Sequence, residues 1–276
     1  LVARGFHSTC TAGVFAGALA CGKLMSLDRK RLADAMGVAG SFAAGTTEFL
    51  GDPEPWSKRI QVGYAGQGAI LAARAAANGF KGPRTILDGR HGYFRAYAGE
   101  GNYDLSRLTE ALGRDWQLLN LYPKRYPCDH IAQGYIDCAL ALAREIRSAD
   151  DIERIVCIVH PLAAAVMFTP QAMRYEPTNG WSARWSMPYD MAVSFTDRAL
   201  SIDSYPDERA RDPALRALMA RVVPEEDPSM MFPGDYPAAL RVHLKDGRVL
   251  ARSAPKVAGH ASNPMHADEY EAKFVD

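Results

Sequence analysis

The chain has 276 residues, with 32 Lys and Arg against 32 Asp and Glu, so its formal net charge is zero. That balance argues against a surface given over wholly to nucleic acid or acidic membrane, but it leaves room for a local cationic pocket. With 48% hydrophobic and 23% charged residues the chain is globular in composition, long enough for about two domains. No apolar run approaches the ~20 residues of a membrane span, and the longest candidate, "TAGVFAGALACGKLM", contains Lys23. The first residues, "LVARGFHSTC", carry no basic leader, which gives the expectation of a cytoplasmic protein. Because patterned sequence begins at once from Leu1, the native chain is expected to start upstream. Cys10, Cys21, Cys128, Cys138 and Cys157 form no C-x-x-C pair, so reduced packing cysteines are expected and no metal site.

From Ser8 to about Gly113 the pattern is helical. Val14, Ala18, Cys21 and Met25 share one face at helical spacing, while Gly13, Gly17 and Gly22 would allow close helix–helix approach. Asp28 is a predicted N-cap for a second helix carrying Leu32, Met36, Ala39 and Phe42. A third helix is predicted from about Val62 to Asn78, stopping at Gly79. "FKGPRTILDG" reads as a connector and "LSRLTEALG" as a short helix closing at Gly113.

The character changes after "LYPKRYPCDH". A helix is predicted from about His130 to Arg147, followed by a half-buried strand in "DIERIVCIVH". Leu240, Val242 and Leu244 alternate similarly, and "KDGR" at residues 245–248 marks a hairpin turn. Further helices are predicted at about Trp185 to Leu200, at Pro213 to Val222 behind an Asp212 cap, and in "HADEYEAKF". The fold class read from this is mainly α with an inserted α+β domain.

Four features suit chemistry, each with a bland alternative. His7 precedes a helix among small hydroxyl residues, as a general acid/base or a helix-entry histidine. Lys58 and Arg59 follow the Pro-containing "DPEPW", either as an anion site or as a solvated pair. Lys124 and Arg125 repeat the pattern between Pro123 and Pro127, and Tyr189 is either a phenolic acid/base or a packed aromatic near a helix start. "GYAGQG" is no phosphate loop, since its glycine order is wrong and it lies within a helix. Cations, one imidazole and one phenol suit a small polycarboxylate, because a fixed cation stabilises charge that builds on carboxylate oxygens when a proton leaves the α carbon.

The segments "GFHSTCTAG", "SKRIQVGYAGQGAILAARAAANGFKGPRTILDG", "YPKRYPCDHIAQGYID", "RWSMPYDMAVSF" and "GHASNPMHADEYEAKF" resemble, in this order, the signature segments of the 2-methylcitrate dehydratase family (MmgE/PrpD). That family also includes cis-aconitate decarboxylase and iminodisuccinate epimerase. The resemblance implies an all-helical domain, residues 1–121 continued by 256–276, and an α+β lid domain at 122–255. It also implies a homodimer through the helical domain, a small polycarboxylate substrate, and catalysis without cofactor or metal. Carried over by position, the catalytic residues fall on His7, Lys58, Lys124 and Tyr189, with Arg59, Arg125 and Gln61 binding substrate.

Two positions depart from the pattern. Many relatives have His where this chain has Gln61 and Gln133, and a carboxamide cannot shuttle a proton near neutral pH. The expected function is a hydro-lyase-type enzyme on a di- or tricarboxylate such as 2-methylcitrate. A decarboxylase or epimerase could use the same residues. The rival from another class is a non-catalytic carboxylate-binding or structural paralogue.

Overall fold

The computed structural model describes residue 1 and residues 4–52 and 56–275. The Pro-containing stretch expected ahead of Lys58 lies, at residues 53–55, outside the described residues. The chain divides into two compact units, Leu1–Asp115 and Trp116–Asp276.

The first unit is helical: α1 (Ser8–Leu24), α2 (Arg29–Ala39), α3 (Ser57–Ala77) and α4 (Tyr93–Ala98). Asp28 caps α2 as expected, accepting the Arg31 N–H at 2.8 Å. Gly79, at φ 88°, ends α3 where a left-handed residue was expected. The core is built from small side chains, with Cys10, Val14 and Ala18 of α1 meeting Ala65, Ala69 and Ala72 of α3. A Cβ on Gly17 would stand 2.7 Å from the Ala69 Cβ, so the helices pack at a distance only glycine permits.

Three local expectations differ. α3 begins at Ser57, five residues ahead of Val62, so Lys58, Arg59 and Gln61 occupy its first turns. These turns are largely exposed and lacked the apolar periodicity that marked the rest of the helix. "LSRLTEALG" forms only a 3-10 turn at Leu105–Leu108, where the Asp104 carboxylate accepts the Ser106 N–H at 3.0 Å, a local bond that competes with helix. α4 was hidden because Tyr93 is buried by distant partners, its hydroxyl 3.0 Å from that of Thr11.

The second unit holds α5 (Gln133–Ala143), β1 (Ile152–Val159), α6 (Pro161–Met167), α7 (Gln171–Tyr175), α8 (Gly180–Ala183) and α9 (Met187–Asp197). It continues with α10 (Asp207–Ala210), α11 (Pro213–Met219), β2 (Val222–Glu226), β3 (Ala238–Leu244), β4 (Val249–Ala254) and α12 (Ala267–Val275). The described strands form one sheet in the order β2-β1-β3-β4, with β1 and β2 parallel and the other pairs antiparallel. β3 alternates buried and half-buried along its length, as its sequence pattern required. Leu244 and Arg248 close the expected turn with a 2.9 Å bond, and Gly247 supplies φ 87°. α5 packs on β3, β4 and α9, and Ile136, Leu142, Met187 and Met191 fill the core against Ile155, Leu240 and Val242.

The sequence divided the chain at 121/122 and returned residues 256–276 to the helical domain. Here the division falls after Asp115, and α12 packs within the second unit, where Glu269 pairs with Arg125 and Lys273 donates to the Lys124 carbonyl.

One buried acid stands out in that core. Asp190 of α9 is fully enclosed; Oδ1 accepts the Tyr205 hydroxyl at 2.7 Å, and Oδ2 has no hydrogen-bond partner among the described residues. Burial pushes its carboxyl well above the usual carboxylate range, against the lowering influence of the Tyr205 hydroxyl.

Two expected outcomes follow from this packing. In urea unfolding, Gly17→Ala should cost about 1–3 kcal/mol through overpacking, whereas Gly13→Ala, whose Cβ would meet nothing within 4 Å, should stabilise by about 0.5–1 kcal/mol; equal effects would contradict the close crossing. For Asp190, the raised native pKa means that its contribution is fully present at low pH and lost as pH rises towards the native value, since the unfolded carboxyl ionises first. Asp190→Asn keeps an acceptor for Tyr205 and removes the titration. The stability of the variant relative to the parent should therefore climb as pH rises through and above the ordinary carboxylate range; a constant difference would show that Asp190 does not titrate this way.

Candidate functional site

In the first unit three of the sequence-predicted residues come together. His7 occupies the N-cap position of α1, with extended backbone dihedrals and no side-chain capping bond. Its carbonyl receives the N–H groups of Cys10 and Thr11, at 3.2 and 3.1 Å, and its own N–H donates to the Gly45 carbonyl at 3.1 Å. The imidazole is thereby fixed at a helix mouth, half-buried. Gln61, in the second turn of α3, places Oε1 2.8 Å from His7 Nδ1 and donates from Nε2 to the Thr46 carbonyl at 3.0 Å.

Phe49 forms the shared wall. Its ring is buried, lies edge-on to His7 with centroids 5.3 Å apart, and has the Lys58 ammonium 5.4 Å from its centroid. An imidazole and a cation therefore flank one apolar surface, which is an arrangement for holding a carboxylate next to a proton carrier. The Arg59 guanidinium sits 4.6 Å from the ring centroid of the exposed Trp56.

The remaining predicted residues lie in the second unit and are engaged there. Lys124 Nζ folds back to donate to the Cys128 carbonyl at 2.8 Å. Arg125 is gripped by two carboxylates, Asp137 at 2.6 Å and Glu269, while the Tyr126 hydroxyl donates to the same Asp137 oxygen at 2.7 Å. Burial pushes the Tyr126 phenol up, with Asp137 adding to it. Tyr189 has no exposed surface and its hydroxyl donates to the Ser204 carbonyl at 2.5 Å, the packed-aromatic arrangement of the two weighed from sequence. Burial raises its phenol as well. Gln133 is almost wholly buried and pins the loop ahead of α5, accepting the Tyr126 N–H at 2.8 Å and donating to the Tyr126 and Asp129 carbonyls. An amide does this with both ends at once, which explains its presence in structural terms.

Sequence reasoning passed over Phe49, Gly45 and His130. Phe49 and Gly45 gave no signal beyond ordinary composition. His130 lay inside a quoted motif; its Nε2 is buried without a partner among the described residues, and burial, with Lys124 nearby, lowers its pKa. Its ring stands edge-on to Tyr236, centroids 4.5 Å apart. Among the described residues no group of three or more His, Cys, Asp or Glu side chains could hold a metal ion, and no helix is long and apolar enough to cross a membrane.

Comparison with known proteins places the chain in a family. The cis-aconitate decarboxylases of Aspergillus terreus (strain NIH 2624 / FGSC A1156) and Homo sapiens are 24% and 25% identical to this chain over 99% and 98% of its length. That of Mus musculus is 24% identical over 99%. The alignments take in 58%, 56% and 55% of those proteins, so this chain spans little more than half the length of the curated relatives it matches. Sequence models of the MmgE/PrpD N-terminal and C-terminal domains match residues 2–106 and 126–276, one in each structural unit. The chain belongs to the MmgE/PrpD family.

Proposed function

We propose that the protein containing this chain is a lyase acting on a small di- or tricarboxylate, with proton transfer and charge stabilisation supplied by its own side chains. The observation that carries the reading is the convergence of His7 and Lys58 on Phe49. A substrate carboxylate pairs with the Lys58 ammonium, and the carbon that gains or loses a proton lies against His7. Charge that develops on the carboxylate as a bond to its α carbon breaks is stabilised by the ammonium, more strongly where the apolar ring keeps water away.

Within this class, the names of the relatives favour decarboxylation of a cis-aconitate-like acid. Dehydration of a 2-methylcitrate-like hydroxy acid, and outside the lyases epimerisation of an iminodisuccinate-like acid, would draw on the same proton-moving residues. The reading extends to a cytoplasmic homodimer joined through helical units, in which α3 leaves Ile60, Val62, Tyr64, Ile70 and Leu71 exposed. A second reading, a carboxylate binder without turnover, draws support from the second unit, where Arg125 is already matched by carboxylates and the Tyr189 hydroxyl is committed to backbone.

The test is to offer the whole protein cis-aconitate, 2-methylcitrate, citrate and iminodisuccinate and to identify products by NMR. Turnover of one of them is the expected result; binding without product in every case would favour the second reading. Lys58→Ala should lower kcat/KM by about one to two orders of magnitude, the loss of a charge-assisted contact of roughly 1.5–3 kcal/mol. Arg59→Ala, which loses a stack on an exposed indole, should change it far less. Equal losses, or none at Lys58, would remove Lys58 from the site.

A further inference from the structure

The Gln61 carboxamide is held at both ends, and that fixes the protonation pattern of His7. Thr46 offers a carbonyl, which only accepts, so the end of the amide 3.0 Å from it is the NH2 group. The oxygen is therefore the end that faces His7 Nδ1 at 2.8 Å. A carboxamide oxygen has lone pairs and no hydrogen, so the hydrogen of this bond sits on Nδ1. Neutral His7 is then the Nδ1–H tautomer, and its free lone pair is on Nε2.

Gly45 provides a second, independent observation. It adopts φ 125°, and a Cβ there would stand 3.0 Å from Gln61 Oε1 and 3.2 Å from Cδ, and closer still to Cys10 Sγ. The backbone at 45–46 thus receives the His7 N–H, receives the Gln61 amide, and leaves the space the amide oxygen occupies. Phe49, edge-on to the ring, restricts it further.

We infer that Gln61 is a positioning residue for His7, holding the imidazole as the Nδ1–H tautomer so that Nε2 is the atom that exchanges the substrate proton. The assignment of Nε2 rests on the lyase reading above; the tautomer does not. When a carbon acid gives up its proton, the C–H electron pair stays with the substrate and the proton goes to Nε2. The imidazolium keeps Nδ1–H on Gln61 Oε1, whose dipole stabilises the new charge. Delivery from Nε2 reverses the step, and Gln61 neither gains nor loses a proton.

The test is 15N NMR of the full chain labelled at its seven histidines, with His7 assigned by the signal lost in His7→Asn, recorded without substrate at a pH where His7 is neutral. The expected wild-type pattern is a protonated Nδ1 and a bare Nε2. Gln61→Met, of similar length but without a hydrogen-bonding oxygen there, should shift His7 towards the Nε2–H tautomer. Gln61→Glu, which restores an acceptor oxygen, should return the Nδ1–H pattern. In the whole protein Gln61→Met should lower kcat while KM stays close to wild type. A bare Nδ1 in the wild type, or an unchanged pattern in Gln61→Met, would overturn the inference. Because the spectra need no turnover, that failure is distinct from an inactive protein, which would overturn the lyase reading and leave the tautomer standing.

Discussion

Gly17 of α1 faces Ala69 of α3 so closely that a methyl group on the glycine would stand 2.7 Å from the alanine Cβ, and the candidate site depends on that approach. His7 precedes α1 and Gln61 lies near the start of α3; their 2.8 Å contact and the Gly17–Ala69 contact follow the same direction along both helices. The two helices therefore run in parallel, with α2 returning the chain between them. Packing at alanine and glycine distance brings both helix starts to one place. The 45–50 segment then closes over them, contributing backbone carbonyls and the Phe49 ring.

The chemistry-bearing residues fall into two groups, one in each unit. In the first unit an imidazole and an ammonium converge on one ring, and the side chain that touches the imidazole does so with an uncharged oxygen. In the second unit the corresponding candidates serve the fold. Arg125 joins α5 to α12 through Asp137 and Glu269, and Lys124 braces the turn ahead of α5. A charge matched by its own chain has less to offer a ligand, because separating a half-buried ion pair costs more than the new contact returns unless geometry is excellent. The proposed carboxylate site is drawn from the convergence of His7 and Lys58 on Phe49.

What was legible in the sequence was what local physics decides. Asp28 announced the start of α2, Gly79 the end of α3, and the alternation of Leu240, Val242 and Leu244 the burial of β3. The short helices between residues 161 and 183, the strand at Val222–Glu226 and α4 were not legible, because each owes its stability to distant packing partners. The site shows the same limit. His7 and Lys58 could be singled out as chemical types, but Gln61 was placed among substrate-binding residues by resemblance, and its hold on His7 was not legible because its partners Thr46 and His7 meet it only in the fold. Arg125 looked like a presented cation because one of its carboxylates, Glu269, is 144 residues away.

The central claim is that a carboxylate binds at the Phe49 wall between Lys58 and His7. The most direct measurement is a crystal structure of the whole protein with a bound tricarboxylate. The account predicts a carboxylate oxygen within hydrogen-bond distance of Lys58 Nζ and the adjoining carbon chain against His7 Nε2, with Gln61 still on Nδ1. A ligand held elsewhere, with Lys58 and His7 untouched, would contradict it.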